Sequence, residues 1–143
     1  MTALATGHVG LNVSDLDRSI GFYREVLGFD VQGRGDGYAF LGDGEKLVLT
    51  LWQQSDGAFS SSTPGLHHLS FEVDSVDEVS AAERRVRESG ATLHHDGIVA
   101  HGEGASSGGI FFEDPDGIRL EIFTGAGVHA EAPSGAAPTC GFF

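Results

Sequence analysis

A chain of 143 residues, 40% hydrophobic and 20% charged, can bury a core of ordinary domain size, which excludes a disordered polymer. Its 21 acidic and 8 basic side chains leave a formal charge of −13, a field that repels phosphate backbones and excludes nucleic acid as the expected partner. The single cysteine, Cys140, excludes an intrachain disulfide and a cysteine-built zinc site. No apolar run approaches the roughly 20 residues that span a bilayer, so no membrane partner is expected. Residues 1–7 lack the basic and apolar stretches of a secretory signal, and a cytoplasmic setting is expected.

Residues 7–13 alternate apolar and polar positions as a strand does. Ser14 or Asp15 can cap a helix running to Leu27, in which Leu16, Ile20, Tyr23 and Leu27 recur at helical spacing. Gly28 stands where a helix-ending glycine belongs. Residues 29–32 read as a strand, and residues 38–41 and 46–52 as two more around the Gly42-Asp43-Gly44-Glu45 turn. Residues 55–65, rich in Ser, Gly and Asp, read as a linker.

The order then repeats. Residues 66–73 are a strand, and Asp74 or Ser75 caps a helix to about Ser89 with Val76, Val79, Ala82 (or Glu83) and Val86 as its weaker apolar stripe. The arginines Arg84, Arg85 and Arg87 fit its polar face, beside Glu83 and Glu88. Gly90 closes it, residues 91–94 form a short strand, and residues 95–108 a loop carrying His95 and His101. Residues 109–112 and 118–123 flank Glu113-Asp114-Pro115-Asp116-Gly117, whose composition suits a tight turn. The chain is thus predicted as α+β, with one βαβββ module over residues 6–54, a linker over 55–65 and a second module over 66–125. Residues 126–143, rich in Gly, Ala and Pro, read as a flexible tail. If the tail is ordered, Phe142 and Phe143 are its anchors.

Both modules open alike. His8 precedes Val9-Gly-Leu-Asn-Val13, and His68 precedes Leu69-Ser-Phe-Glu-Val73. A histidine at the head of the same strand in each copy suggests one metal ligand per module. By strand alternation His67 points outward.

These features resemble the vicinal oxygen chelate superfamily, which includes glyoxalase I, extradiol dioxygenases, fosfomycin-resistance enzymes and bleomycin-resistance proteins. The matching residues are His8-x-x-Leu-x-Val-x-Asp-Leu16 with Ser19-Ile-Gly-Phe-Tyr23 and Leu27-Gly-Phe29. In the second copy they are His68-x-x-Phe-x-Val73, then Phe112-Glu-Asp-Pro-Asp-Gly117 with Leu120-Glu121. The resemblance implies two paired modules, each curling its mixed sheet into half of an open barrel around a metal. It implies His8, His68 and Glu121 as ligands. The fourth ligand of many members falls near Val48 or at Thr50, neither of which is a carboxylate or amide. A fosfomycin-type transferase would carry threonine where Gly10 stands.

Two imidazoles and one carboxylate leave open positions and suit Fe(II) or Mn(II), with Zn or Ni able to substitute. The resemblance therefore implies a small-molecule substrate that chelates the ion through adjacent oxygens, with a dioxygenase-like or glyoxalase-like reaction. The other class it implies is a metal-free protein that sequesters an antibiotic or metabolite. His101, Tyr38 and Glu72 are the acid–base candidates. Asn12, Thr50, Trp52, Ser70 and Phe123 share the predicted ligand face and are the substrate-binding candidates. Relatives often assemble one site from two chains, so a homodimer is expected.

Overall fold

The computed structural model describes residues 1–135 and residue 143. Phe142 and Cys140 lie outside the described residues. The chain divides into two compact units, residues 1–58 and 59–143. Each is a βαβββ module, and the described chain is α+β.

Unit 1 contains β1 (Val9–Val13), α1 (Leu16–Glu25), β2 (Asp30–Gly35), β3 (Tyr38–Gly42) and β4 (Leu47–Gln53). Its sheet runs β1-β4-β3-β2, with β1 parallel to β4 and the other pairs antiparallel. Asp15 takes the cap position, and its carboxylate accepts from the Arg18 N–H at 3.1 Å. Such a cap is worth about 1 kcal/mol. The helix stops at Glu25, short of Leu27. Val26 follows as its C-cap, and Gly28 turns the chain at φ +75° with its N–H on the Arg24 carbonyl. Leu16, Ile20 and Tyr23 on α1 and Leu11, Val13, Ala39, Leu41, Leu49 and Leu51 on the strands form the core. Strand alternation leaves Gly10, Asn12, Tyr38, Phe40, Thr50 and Trp52 on the sheet's other face.

Unit 2 contains β5 (Leu69–Glu72), α2 (Val76–Ser89), β6 (Val99–Ala100), β7 (Gly108–Glu113) and β8 (Arg119–Thr124). Its sheet runs β5-β8-β7-β6, with β5 parallel to β8. Ser75 caps α2 and Gly90 ends it in the left-handed region at φ +76°. Val79, Ala82 and Val86 pack with Ile110, Phe112, Leu120 and Ile122 as the core.

The second strand of this module is not where the sequence places it. Residues 91–94 make one bridge, Leu93 to Phe112, and the strand forms at Val99–Ala100, inside the segment read as a loop. The physical cause is local. His95, Asp96 and Gly97 all take positive φ (57°, 59° and 134°), which turns the chain off the sheet edge. It returns beside Gly108, where a Cβ would sit 2.3 Å from the Val99 carbonyl oxygen. Only glycine lets β6 approach β7 so closely. Among the described residues no helix is long and apolar enough to cross a membrane.

Candidate metal centre

Strand pairing decides which side chains share a face in unit 2. Ser70 on β5 faces Glu121 on β8, Glu72 faces Phe123, and Phe111 on β7 flanks Glu121 from the other side. Glu121 is only 3% exposed, so its carboxylate depends on partners within the protein. It has two. The Ser70 hydroxyl donates to Oε1 at 2.6 Å, and His101 Nε2 meets Oε2 at 2.7 Å. His101 is itself held, with Nδ1 3.1 Å from the Ser107 hydroxyl and its ring 5.3 Å from Phe123. Thus the structure joins three predicted site residues, Ser70, His101 and Glu121, in one hydrogen-bonded group.

His68 sits one residue ahead of β5. His67, read as outward, is exposed, and His68 is half-buried. The two imidazoles meet at Nδ1, 2.8 Å apart, so one donates and the other accepts. This contact occupies the Nδ1 of His68 and directs Nε2 to any further partner. Burial pushes His68 below the ordinary histidine pKa, opposed by the negative charge of Glu121 and reinforced by the charges of His67 and Arg119. A neutral imidazole is the form that coordinates a cation.

Of the other polar groups of unit 2, Arg119 was not singled out by sequence reasoning. His94 Nε2 lies 2.7 Å from Glu113 Oε2. Arg119 alternates with Glu121 and Phe123 along β8, and places its guanidinium 5.8 Å from the centre of the Phe59 ring. The alternation of residues 119, 121 and 123 was the available signal for Arg119. Glu72 is exposed on the shared face.

In unit 1, Gly10 pairs with Thr50 and Asn12 with Trp52. Gly10–Thr50 therefore occupies the place that Ser70–Glu121 holds in unit 2. Of the two positions considered for a fourth ligand, register selects Thr50 as the counterpart of Glu121. Its hydroxyl accepts from Trp52 Nε1 at 2.9 Å. Trp52 stacks on Tyr38 with centroids 5.6 Å apart, and Phe40 packs against both. Asn12 spends its carboxamide oxygen on the Gln54 N–H. His8 precedes β1 and is exposed. Tyr38 thus lies in an aromatic platform. Among the described residues no three His, Cys, Asp or Glu side chains converge as a complete metal cage.

Comparison with known proteins agrees with this fold. The chain is 30% identical over 120 residues to a catechol-2,3-dioxygenase of Bacillus subtilis (strain 168), a match that covers 82% of this chain but only 40% of that enzyme. It is 32% identical over 124 residues to a lactoylglutathione lyase of Neisseria meningitidis, covering 80% of this chain and 86% of that enzyme. The crystal structure of a glyoxylase/bleomycin resistance protein/dioxygenase domain from Frankia sp. EAN1pec superimposes with a TM-score of 0.71 at 30% identity, over 90% of this chain and 96% of that one. Residues 5–122 match the family profile, and the chain belongs to the Glyoxalase/Bleomycin resistance protein/Dioxygenase superfamily.

Proposed function

We propose that this chain is a divalent-metal-dependent enzyme, dioxygenase-like in preference to glyoxalase-like, acting on a small substrate that presents two adjacent oxygens. The observation that carries the reading is the buried Glu121 carboxylate, oriented by Ser70 and His101 beside a neutral His68. Thr50 at the counterpart position is what favours the dioxygenase side, because a hydroxyl already engaged by Trp52 makes a poor fourth ligand. The donors fit a divalent ion chemically. Glu121 and His68 would hold it from unit 2, and His8 is the matching histidine of unit 1.

When bound, the ion supplies Lewis acidity and open positions for oxygen ligands, which suits Fe(II) or Mn(II), then Zn or Ni. The chain's own residues do the rest. Ser70 fixes the carboxylate, His67 would leave His68 Nε2 to the ion by accepting from the His68 Nδ1–H, and His101 can hold or release a proton at Nε2. Tyr38 and Glu72 remain acid–base candidates, and Asn12, Trp52 and Phe123 substrate contacts. The glyoxalase-like reading has one observation of its own, the lactoylglutathione lyase match over most of that enzyme's length. We also infer a homodimer in which His8 of one copy joins His68 and Glu121 of the other, and a cytoplasmic setting.

The test is metal content of untagged protein purified without oxygen, beside His68→Ala. About one Fe or Mn per chain, lost in the variant, supports the site. Oxygen uptake with catechols, or isomerisation of a glutathione hemithioacetal, then separates the two reactions. No stoichiometric metal after anaerobic Fe(II) or Mn(II) addition overturns the enzyme reading and leaves the metal-free sequestering protein.

A further inference from the structure

The ring of Phe143 is set among side chains from the candidate centre and its surroundings. Its centroid is 5.4 Å from that of His68, tilted by 37°. The rings of His94 and Phe111 approach nearly perpendicular to it, at 5.6 and 5.2 Å. The Arg119 guanidinium lies 5.3 Å from its centroid. His67 closes the side at 6.3 Å.

Two walls of this cradle, Phe111 and His94, are tied to the sheet by contacts other than the ring they hold. Phe111 is fully buried in β7. The His94 N–H donates to the Phe111 carbonyl at 2.7 Å, and its side chain is tied to Glu113. The left-handed pair His95 and Asp96 follows directly, and Arg87 Nη2 donates to the Asp96 carbonyl at 3.1 Å. Strained backbone of this kind costs about 1–3 kcal/mol per residue and persists where the surroundings enforce it. Aromatic edges and a cation directed at one ring recognise a π face. An aliphatic group of the same size gains only the burial.

We propose that this cradle is an aryl-binding subsite for a single phenol-sized ring of the substrate, and that Phe143 occupies it in the free chain. The assignment of that ring to a substrate rests on the metal-enzyme reading above. The position beside His68 would hold an aryl group next to oxygens bound at the centre. Phe143 and the substrate ring would then compete.

The experiment is binding of phenol and of cyclohexanol to the full chain and to Phe143→Ala, by equilibrium dialysis and by NMR of the His68 and His94 rings. Phenol is expected to bind the variant about three- to tenfold more tightly than the parent, the size of one aromatic pairing. Cyclohexanol should gain far less, and adding Arg119→Gln to the variant should return part of the phenol gain. Unchanged phenol affinity in Phe143→Ala, or an equal gain for cyclohexanol, overturns the proposal. Neither readout needs metal or turnover. A phenol gain without stoichiometric metal would therefore sink the enzyme reading and the assignment of the ring to its substrate but leave the aryl cradle, and metal without the phenol gain would sink the cradle alone.

Discussion

In the first module the residues that face each other across the parallel strands are Gly10 and Thr50; in the second they are Ser70 and Glu121. The displacement along the chain that takes Thr50 to Glu121 also takes Phe40 to Phe111, Trp52 to Phe123 and Asp43 to Asp114. The backbone is thus repeated while the chemistry of one face is exchanged. In unit 1 the hydroxyl of Thr50 is taken by the Trp52 indole, and Tyr38, Phe40 and Trp52 make a platform of π surface. In unit 2 the same positions carry a buried anion with a hydroxyl on one oxygen and an imidazole on the other. Pairing rules and apolar alternation specify the module. They leave the site face free to diverge, because that face contributes little to the core of its own unit.

The largest expected effect tests that division directly. Glu121→Ala should abolish stoichiometric metal and lower turnover by more than the roughly 100-fold that loss of a supporting group costs. Thr50→Ala, at the counterpart position, should leave metal content unchanged and cost only the hydrogen bond to Trp52, about 1 kcal/mol. Metal analysis and thermal denaturation of the two variants read both effects. Equal metal loss in the pair would break the comparison.

A second contrast concerns packing. Tyr38 in β3 has Gly109 as its counterpart in β7, and the two are not interchangeable. A Cβ on Gly109 would lie 2.0 Å from the Ile122 carbonyl oxygen and 2.6 Å from the Phe123 Cα, both backbone of β8. Neither can yield without opening the β7–β8 ladder. Gly109→Ala is therefore expected to cost about 3 kcal/mol. Tyr38→Ala should cost about 1 kcal/mol through its lost ring pairing with Trp52. The midpoint of denaturant unfolding measures each, and a neutral Gly109→Ala would mean that β8 approaches less closely.

Much of this fold was legible because its signals are local. Asp15, Ser75 and Gly90 are helix boundaries that short polar side chains and glycine impose by themselves. The strand at Val99–Ala100 was not legible, because it depends on Gly108 allowing close approach and on a left-handed turn whose first two residues, His95 and Asp96, are not glycine. In the site, the resemblance implied Glu121, but its partners Ser70 and His101 are distant in sequence and their pairing with it emerges from strand register and loop path. The choice between Val48 and Thr50 needed the pairing of β1 with β4. His67 was read as outward by alternation, and it is exposed, with its Nδ1 turned to that of His68. The ring cradle gathers side chains from separate strands, loops and Phe143, and no periodicity relates them.

The smallest expected effect compares the two hairpin turns, which use the same device at different depths. Asp43 accepts from the Glu45 and Lys46 N–H groups at 3.0 Å each, and Asp114 from those of Asp116 and Ile118 at 2.8 and 2.9 Å. Asp114 is 5% exposed, whereas Asp43 lies in solvent. The N–H groups of Lys46 and then Glu45 hold the Asp43 carboxyl below its ordinary pKa. A group with a depressed folded pKa adds stability that is fully present above its unfolded value, about 3.9, and is lost as pH falls through the folded value. Asp43→Asn removes that contribution, because a neutral amide oxygen accepts these bonds more weakly than a carboxylate. The melting temperature of the parent should exceed that of the variant by a small, constant margin at neutral pH. The margin should begin to close near pH 4 and vanish at lower pH. A margin that persists to pH 2 would mean that the turn is held by backbone conformation and not by the charge, and the resemblance between the two aspartates would then be one of shape alone.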